Sequence, residues 1–528
     1  MPVTVNRKKV RFDPDPTRII TRFFIPGEPP MILDIIEKVL NLSHQEICLV
    51  LNQVLRNFAR RHRNISRIFQ QNFTRIKDHL NRVNGELPPN IAARLKNTQK
   101  ELQKLAKSGK DGSVKTRLLI GSYFTMEYSI ESTAFFNPSI VEDPDQGNLY
   151  QEKQKRVIIS FRATGEGHIS SIVFLSGIID KKNNITIKPK GKLVDVPQKV
   201  KRHVYNKKGF LKKIEEMDLY KNARGKDRVA IDKVIREAKS RVMDRLGEKF
   251  LYGELRASVL QALEKPDLSF NERRVIESIN WLADSHYETE FSLDTALSER
   301  IIFPTSYTEV NGIEDARFVR FVDDDGSVRY FATYTAYSAG TILPKLLETD
   351  DFYHFKILPL NGQYARNKGM ALFPRKINGK YVMLSRHDGT NHYLMYSDTV
   401  NLWKNAQKID YPRAPWEYIK VGNSGSPLET PRGWLVLTHG VGPMRKYCIG
   451  AMLLELEHPE KIIGRLKEPL LVPNENEREG YVPNVVYSCG SLLHQGEVVI
   501  PYGISDTAST YATVPLDELL DALVSSGG

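Results

Sequence analysis

The sequence contains few cysteines and no long apolar run. Three cysteines occur in 528 residues, at positions 48, 448 and 489. Their odd number and wide spacing exclude a disulfide framework and the paired motifs of zinc sites. No apolar stretch reaches the roughly 18 residues that a membrane span requires. The basic N-terminus MPVTVNRKKVRF has no apolar segment behind it, so the sequence predicts a protein without a secretory signal, in a reducing cytoplasm.

Acidic residues are outnumbered by basic ones, which leaves a net charge of +13. Much of the excess lies in two segments, 60–117 and 188–228, with runs such as ARRHRNISR and NKKGFLKK. Such runs attract nucleic acids in some proteins, but more often they are solvated faces of helices. No RNA-binding motif or zinc-finger spacing accompanies them, so we do not expect a nucleic-acid partner.

Two segments have the apolar spacing of helices. In residues 30–110, Ile32, Ile36 and Val39 recur at helical intervals, and Ser43 followed by Glu46 predicts a capping box. Residues 210–290 show the same spacing. The remaining sequence favours short strands that are joined by tight turns.

The strand-rich part of the chain repeats at a regular interval. Asp315, Lys368, Gly425 and Pro483 follow one another at intervals of 53, 57 and 58 residues. Repeats of this length, each with several strands, predict the blades of a β-propeller. The longer interval of 178 residues, from Asn137 to Asp315, contains the second helical segment.

The predicted fold is therefore an all-β five-bladed propeller with an N-terminal helical extension and a helical insertion between blades one and two. The corresponding segments are 1–120 for the N-terminal helices, 121–180 for the first blade, 181–290 for the insertion and 291–528 for the remaining blades.

Each predicted second strand ends in a polar residue. The five residues at a common offset from the preceding turn are Arg162, Tyr334, Arg386, His439 and Tyr502. Equivalent positions of propeller blades face the same channel, so we expect a basic ring at one mouth. Arginine binds anions through two parallel hydrogen bonds, and the ring is therefore a candidate anion site.

Other chemistries find little support in the sequence. His387 and His392 lie five residues apart, but no third zinc ligand occurs at a convincing spacing. No Ser-His-Asp set or phosphate-binding glycine loop can be assigned. The sequence therefore predicts neither a metal nor an organic cofactor.

Several runs occur together in a fixed order: FFNPSI, GIEDARF, NKGMALFPRKINGKYVMLSRH, GWLVLTHGVGPMRKYCIGAMLLELEHPEKIIGR, GYVPNVVYSCG and IPYGISDT. In these runs the sequence resembles glycoside hydrolase family 130, the five-bladed mannoside phosphorylases and their hydrolytic relatives. The resemblance covers about 135–180 and 290–515. Helical extensions serve oligomerisation in some members, so the resemblance implies a homo-oligomer.

The resemblance also implies roles for individual residues. Asp315 of the Glu-Asp-x-Arg motif matches the general acid, although Ala316 stands where the family usually has proline. Glu314 and Arg317 are expected to tune or position it. The matching phosphate-binding residues are Lys368, Arg386 and His439. The remaining substrate-binding residues are expected to be Asn137, Arg162, Asp506 and, from the predicted ring, Tyr334.

The activity implied by the resemblance is inverting phosphorolysis of a β-mannoside, with inorganic phosphate as co-substrate and α-mannose 1-phosphate as product. A β-1,2 linkage is the expected one. One alternative is an inverting β-1,2-mannosidase, which needs a second carboxylate as base. Glu166 is the first candidate for that base, with Asp388 and Glu429 behind it. A non-catalytic carbohydrate-binding propeller is the other alternative.

Overall fold

The computed structural model describes residues 3–83, 87–149, 152–191, 193–200, 204–216, 226–338 and 341–525. The chain forms two compact units. One comprises Met1–Pro14, Glu131–Lys190 and Val196–Gly528, and the other comprises Asp15–Ile130 and Gly191–Asp195. No helix among the described residues is long and apolar enough to cross a membrane.

The smaller unit is helical, as its apolar spacing predicts. Ile32, Leu33 and Ile36 are fully buried against Phe73 and Leu119. The predicted capping box at Ser43 is confirmed: the Glu46 amide donates to Ser43 Oγ at 3.3 Å, and the Ser43 amide donates to Glu46 Oε2 at 2.7 Å. The five helices are α1 Pro29–Leu40, α2 His44–Phe58, α3 Ile65–Leu80, α4 Pro89–Lys107 and α5 Asp111–Tyr123.

Strands dominate the larger unit, and two further strands pair within the smaller one. The strands up to residue 302 are β1 Asn6–Arg7, β2 Ile19–Phe23, β3 Thr125–Ser129, β4 Ala134–Glu142, β5 Lys155–Thr164, β6 Ser170–Ile179, β7 Ile185–Ile187, β8 Gln198–Val200, β9 Val204–Asn206, β10 Lys249–Leu251, β11 Tyr287–Glu290 and β12 Ile301–Ile302. The later strands are β13 Ile313–Val322, β14 Val328–Ser338, β15 Thr341–Thr349, β16 His354–Pro359, β17 Ala371–Leu372, β18 Tyr381–Ser385, β19 His392–Ser397, β20 Gln407–Asp410, β21 Lys420–Asn423, β22 Leu428–Thr430, β23 Gly433–Val441, β24 Tyr447–Leu454, β25 Ile462–Arg465, β26 Val486–Tyr487, β27 Leu492–His494, β28 Glu497–Ile504 and β29 Ala508–Pro515.

Among the described residues of the larger unit, five antiparallel sheets of four or more strands follow one another, and β9 pairs with β10 in a further two-stranded sheet. The first sheet has the order β12-β6-β5-β4 with β7 beside β6, and the second is β13-β14-β15-β16-β11-β8. The third is β17-β18-β19-β20, and the fourth is β21-β23-β24-β25 with β22 beside β23. The fifth is β1-β29-β28-β26 with β27 beside β28. The N-terminal strand β1 thus completes the last sheet.

Hydrogen bonds connect each sheet to the next. Five of these bonds run from Phe318 N to Ser139 Oγ, Thr333 Oγ1 to Met370 O, Asn423 Nδ2 to Gly369 O, Tyr447 N to Asn484 O and Cys489 N to Pro138 O. In this order, the bonds join the first sheet to the second, the second to the third, the third to the fourth, the fourth to the fifth, and the fifth back to the first. Strands of the first, second, fourth and fifth sheets line one cavity of about 420 Å³, with Ile140, Phe318, Leu428 and Leu492 among the lining residues; Pro374, in the loop between β17 and β18, lines it as well.

The described part of the segment predicted as an insertion, 181–290, contains four helices and the short strands β7 to β11. Its helices are α6 Lys207–Glu216, α7 Lys226–Met243, α8 Tyr252–Leu263 and α9 Phe270–Ser285. They share an apolar cluster in which Val242, Leu255 and Ile279 are buried. The last helix, α10 Leu516–Ser525, buries Leu519 and Leu523 among side chains of the fourth and fifth sheets.

Candidate active site

Two β-bulges place Asn137 and Asp315 side by side. The pairing of β4 with β5 shifts between Phe136 and Ser139, and the pairing of β13 with β14 shifts between Glu314 and Arg317. Asn137 and Asp315 adopt left-handed backbone angles, with φ of 51° and 58°. Bulges re-aim side chains, and here Asn137 Nδ2 donates to Asp315 Oδ1 at 2.8 Å.

Glu314 is the most heavily contacted carboxylate of the site. Its Oε2 lies 2.5 Å from Arg162 Nη1, and its Oε1 accepts hydrogen bonds from Lys368 Nζ at 2.9 Å and the Tyr337 hydroxyl at 2.6 Å. Burial raises the pKa of Glu314, but the Arg162 and Lys368 charges outweigh this and hold the pKa below its ordinary value. Glu314 is therefore a carboxylate that anchors two cations.

Arg162 and Lys368 both lie beside the acidic pair. Arg162 Nη1 is 3.9 Å from Asp315 Oδ1, and Arg162 Nε donates to Ser170 Oγ at 2.9 Å. Burial lowers the pKa of Lys368, but the Glu314 carboxylate raises it more, so the ammonium stays charged. Lys368, which the sequence predicts as a phosphate-binding residue, thus forms an ion pair with Glu314.

Asp506 lies in the turn between β28 and β29, with a left-handed φ of 51°. Burial raises the pKa of Asp506 to about 7; the charge of Arg162 opposes this rise, and the charges of Asp315 and Glu314 add to it. This carboxyl is therefore half protonated near neutral pH, within electrostatic reach of Asp315.

Arg386 and His439 form a buried pair. His439 Nδ1 lies 2.9 Å from the Asn423 carbonyl oxygen, so Nδ1 carries the proton and donates to it. His439 Nε2 then accepts a hydrogen bond from Arg386 Nη1 at 2.8 Å. Burial and the neighbouring charges of Arg386 and Arg317 hold the pKa of His439 well below its ordinary value. The imidazole is neutral, and the positive charge of the pair belongs to Arg386.

Arg317 extends this basic region toward Asp315. Its Nη2 donates to the Tyr487 hydroxyl at 2.6 Å, and its Nη1 donates to the Asp315 carbonyl oxygen at 3.2 Å. Within the described part of the chain, Nε of Arg317, Nε of Arg386 and Oδ1 of Asn137 are buried without a hydrogen-bond partner. Buried polar atoms normally have partners, so these three atoms mark places where a polar ligand fits.

Tyr334 and Tyr502 of the predicted ring make other contacts. The Tyr334 hydroxyl donates to Glu309 Oε1 at 2.8 Å, next to the fully buried Lys345. The Tyr502 hydroxyl donates to Glu477 Oε1 at 2.7 Å. Tyr334 was expected to bind substrate; its side chain instead belongs to a buried structural cluster, where only 2% of the residue is exposed.

Glu166 lies in a short 3-10 turn, Glu166–His168, between β5 and β6. It is exposed, whereas Asp315 is 8% exposed. Its role as a base stays a prediction.

The histidines weighed as zinc ligands occupy different surroundings. His392 is fully buried, and its pKa is lowered to about 3 by burial and by the charge of Arg386. The His387 ring packs between Tyr364 and Tyr393. Across the described residues, no group of three or more His, Cys, Asp or Glu side chains has a metal-binding arrangement.

Sequence reasoning missed three residues of this region: Tyr337, Tyr487 and Asn423. Tyr337 fixes Glu314, Tyr487 fixes Arg317, and the Asn423 carbonyl fixes the tautomer of His439. Tyr487 lies within GYVPNVVYSCG, so the resemblance carried a signal for it. Tyr337 and Asn423 position Glu314 and His439, which lie elsewhere in the sequence, so no local sequence pattern identifies them.

Comparisons with known proteins agree with the resemblance. The profile of family Glyco_hydro_130, described as β-1,4-mannooligosaccharide phosphorylase, matches residues 286–525. A β-1,2-mannobiose phosphorylase of Thermoanaerobacter sp. is 34% identical over 217 residues, which cover 40% of this chain and 69% of that protein. The chain belongs to glycoside hydrolase family 130.

Other known proteins match this chain over different shares of its length. A 1,2-β-oligomannan phosphorylase of Thermoanaerobacter sp. is 40% identical over 155 residues, 29% of this chain and 52% of that protein. The chain thus spans about half to two thirds of the length of the curated relatives that it matches. A solved β-1,2-mannobiose phosphorylase from Listeria innocua covers 75% of this chain and 93% of its own, with a TM-score of 0.44 and 20% identity.

Proposed function

We propose that the protein is an inverting phosphorylase of β-mannosides. The observation that carries this proposal is a pair of buried guanidinium groups with no carboxylate partner. Among the described residues, neither Arg317 nor Arg386 has a carboxylate within 4.0 Å of its side-chain nitrogens. Arg386 is 7% exposed and Arg317 is 2% exposed. Buried charges require compensation, and an inorganic phosphate bound here supplies it.

Arg386 and His439 are the proposed phosphate-binding residues, and Arg317 and Lys368 lie close enough to add positive charge. The unpartnered Nε of Arg386 supplies a donor that the His439 contact leaves unused. The phosphate oxygen attacks the anomeric carbon from this side, and the bond from that carbon to the glycosidic oxygen breaks. Positioned charge lowers the barrier by holding the nucleophile in line.

Asp315 is the proposed general acid. Its proton passes to the glycosidic oxygen, directly or through a substrate hydroxyl, as the leaving sugar departs. Asn137, through its hydrogen bond to Oδ1, fixes the orientation of this carboxyl. We assign Asn137, Arg162 and Asp506 to the mannose unit that is transferred, because all three lie around Asp315.

We also infer that the five sheets are the blades of a closed propeller. The hydrogen bonds from first sheet to second, and onward back to the first, support this inference. The cavity lined by four of the sheets and by the β17–β18 loop of the third supports it as well. Cross-links engineered between the first and fifth sheets, at positions brought together only by closure, provide the test.

A β-1,2-linked manno-oligosaccharide is the proposed substrate, because two Thermoanaerobacter relatives are named as phosphorylases of β-1,2 mannosides. The experiment supplies β-1,2-mannobiose and β-1,4-mannobiose in parallel, each with and without inorganic phosphate. We expect mannose 1-phosphate from the β-1,2 substrate only when phosphate is present. Release of free mannose without phosphate identifies the hydrolase alternative, and binding without turnover identifies a carbohydrate-binding propeller.

A further inference from the structure

Two hairpin loops of the larger unit share one unusual backbone. Gly165 N donates to Ile169 O at 3.2 Å in the loop between β5 and β6, and Gly442 N donates to Lys446 O at 3.0 Å in the loop between β23 and β24. Each loop has two successive residues in the left-handed region. The four residues and their φ angles are Gly167 at 67°, His168 at 59°, Met444 at 57° and Arg445 at 55°.

Both loops lie at the site end of their sheets. In the first sheet, Ala134 pairs with Thr164, so the loop after Thr164 borders the start of β4, three residues before Asn137. In the fourth sheet, the loop begins three residues after His439. Met444 occupies a backbone conformation that its counterpart Gly167 adopts without strain. Non-glycine residues in this region cost on the order of 1 kcal/mol, and such strain clusters at functional sites.

His168 of the first loop is joined to an exposed aromatic side chain. The Tyr481 hydroxyl lies 3.1 Å from His168 Nδ1, and the two rings stack with centroids 5.5 Å apart at 29°. Tyr481 N donates to Thr507 Oγ1 at 2.8 Å, which ties this pair to the turn that carries Asp506. Tyr481 nevertheless remains 54% exposed.

Arg445 of the second loop lies two residues before Tyr447, whose amide donates to the Asn484 carbonyl oxygen at 3.0 Å, three residues after Tyr481. The second loop therefore leads to the segment that carries Tyr481, and the charge of Arg445 also opposes the rise in the pKa of Asp506. Arg445 is exposed, and Met444 beside it is 90% exposed. The surface around Asp506 thus combines an aromatic face, a polar ring edge and a guanidinium. Sugar rings have one apolar face and a rim of hydroxyls, and this surface complements both.

We propose that Tyr481, His168 and Arg445 bind the sugar on the leaving-group side of the cleaved bond. This is the sugar that acts as acceptor when the reaction runs toward synthesis. Tyr481 supplies the stacking face, His168 fixes the orientation of Tyr481, and Arg445 donates hydrogen bonds to hydroxyls. The inference rests on the proposed function, because it assigns residues to a second sugar of that reaction.

The test measures synthesis of β-1,2-mannobiose from mannose 1-phosphate and mannose. Tyr481→Ala and Arg445→Ala are each expected to raise KM for the acceptor mannose by about tenfold. KM for mannose 1-phosphate is expected to change less than twofold, because that ligand occupies the other side of the bond. Tyr481→Phe keeps the ring and its stacking on His168 and loses only the contact between the hydroxyl and His168 Nδ1, so it is expected to show a smaller rise in the acceptor KM. Tyr411→Ala removes a 50% exposed tyrosine at the end of β20 and serves as the matched control.

Two results overturn the inference. If the wild-type protein phosphorolyses β-1,2-mannobiose and these variants leave the acceptor KM unchanged, this inference fails and the proposed function stands. If the wild-type protein neither cleaves β-1,2-mannobiose nor binds it in calorimetry, this inference and the proposed function both fail. Should Tyr481→Ala not fold, as judged by circular dichroism, Arg445→Ala and Tyr481→Phe give the same comparison.

Discussion

At the scale of single residues, the site depends on two side chains held in sparsely populated backbone conformations. Asn137 and Asp315 occupy equivalent bulges of neighbouring sheets and bond to each other. Asn and Asp tolerate the left-handed region better than other non-glycine residues. The chemistry of the site and the geometry of the bulge therefore favour the same two residue types.

Replacing Asp315 with asparagine separates proton donation from structure. The amide oxygen of Asp315→Asn still accepts from Asn137, and asparagine tolerates the same φ, so folding is expected to be unaffected. Without a transferable proton, kcat for phosphorolysis is expected to fall by about 10² to 10⁴-fold. Steady-state kinetics and calorimetric binding of β-1,2-mannobiose provide the measurement.

Asp398→Asn, which alters a carboxylate that is 84% exposed in its side chain, is the control and is expected to be indistinguishable from wild type. Near-normal turnover by Asp315→Asn excludes Asp315 as the acid.

Asp506 gives the stability of the protein a characteristic pH dependence. Its pKa is raised from 3.8 to about 7 by burial, so between these values the folded state binds more protons than the unfolded state. The free energy of unfolding is therefore expected to fall as pH rises from about 4 to 7, by up to about 4 kcal/mol. Asp506→Asn has no carboxyl to titrate at this position and does not lose this stability. The Tm of Asp506→Asn relative to that of wild type is therefore expected to increase between pH 5 and pH 8. Parallel Tm curves for the two proteins contradict the assignment.

The sequence was informative about polar strand ends but did not determine which way each side chain points. Arg162 lies 3.9 Å from Asp315 Oδ1, and Arg386 pairs with His439; their roles stay predictions. The Tyr334 hydroxyl contacts Glu309 instead, because Asp315 and Ala316 of the bulge lie opposite Tyr334, just as the bulge at Asn137 lies opposite Phe161. Tyr334 therefore corresponds to Phe161, one residue before Arg162. A shift of one residue sends a strand side chain to the opposite face, and turn lengths alone do not reveal it.

At the scale of elements, strand β21 brings its backbone against the Arg386–His439 pair. Gly422 pairs with His439 across the strands. A Cβ at Gly422 meets His439 Cε1 at 2.6 Å and Arg386 Nη1 at 3.0 Å. This close approach also lets the next residue, Asn423, present its carbonyl oxygen to Nδ1 of the imidazole.

Gly422→Ala is expected to weaken phosphate binding specifically. The added methyl group displaces the guanidinium or the imidazole, so KM for phosphate is expected to rise about tenfold or more, and stability is expected to fall by about 1–3 kcal/mol. Phosphate titration of initial rates and urea unfolding check both effects.

Gly253→Ala in α8 is the matched control, because nothing lies within 4 Å of its added Cβ. Helical Gly-to-Ala changes stabilise by roughly 0.5–1 kcal/mol, so this variant is expected to keep its phosphate KM and gain stability. An unchanged phosphate KM in Gly422→Ala contradicts the assignment of Arg386 and His439 to phosphate.

A 3-10 turn that ends in a buried, ion-paired glutamate recurs in the fold, and the sequence did not predict it. Three such turns end in a buried glutamate: Glu309, Glu417 and Glu477. Glu309 binds Lys345, Glu417 binds Arg465 through both oxygens, and Glu477 binds Arg7. Apolar spacing predicted helices within 30–110 and 210–290, and the Ser43–Glu46 pattern predicted a capping box, because these signals are local. The partners of these glutamates lie 36, 48 and 470 residues away, which local patterns do not encode.

At the scale of the whole molecule, the N-terminal segment holds the first and last sheets together. Phe12 exchanges backbone hydrogen bonds with Ser509 of β29, at 2.8 and 2.9 Å. Its ring packs on Phe161 of β5 with centroids 5.3 Å apart. One residue thus contacts both sheets.

Phe12→Ala is expected to lower the free energy of unfolding by about 3–5 kcal/mol, the usual range for removing a buried phenylalanine. Urea unfolding followed by circular dichroism provides the measurement. Phe270→Ala, at a residue that is 75% exposed, is expected to cost much less. Equal losses in the two variants contradict a role for Phe12 in holding the sheets together.

The pairing of β1 with β29 also constrains when the protein can finish folding. Asn6 pairs with Thr513, so β1 cannot form this pairing until β29, about 500 residues later in the chain, has been synthesised. At a synthesis rate of roughly 5–20 residues per second, that wait lasts about 25–100 s. Until then, β1 is unpaired and open to intermolecular association. The helices of the smaller unit, encoded between β1 and β29, can form during this interval, because their contacts are local.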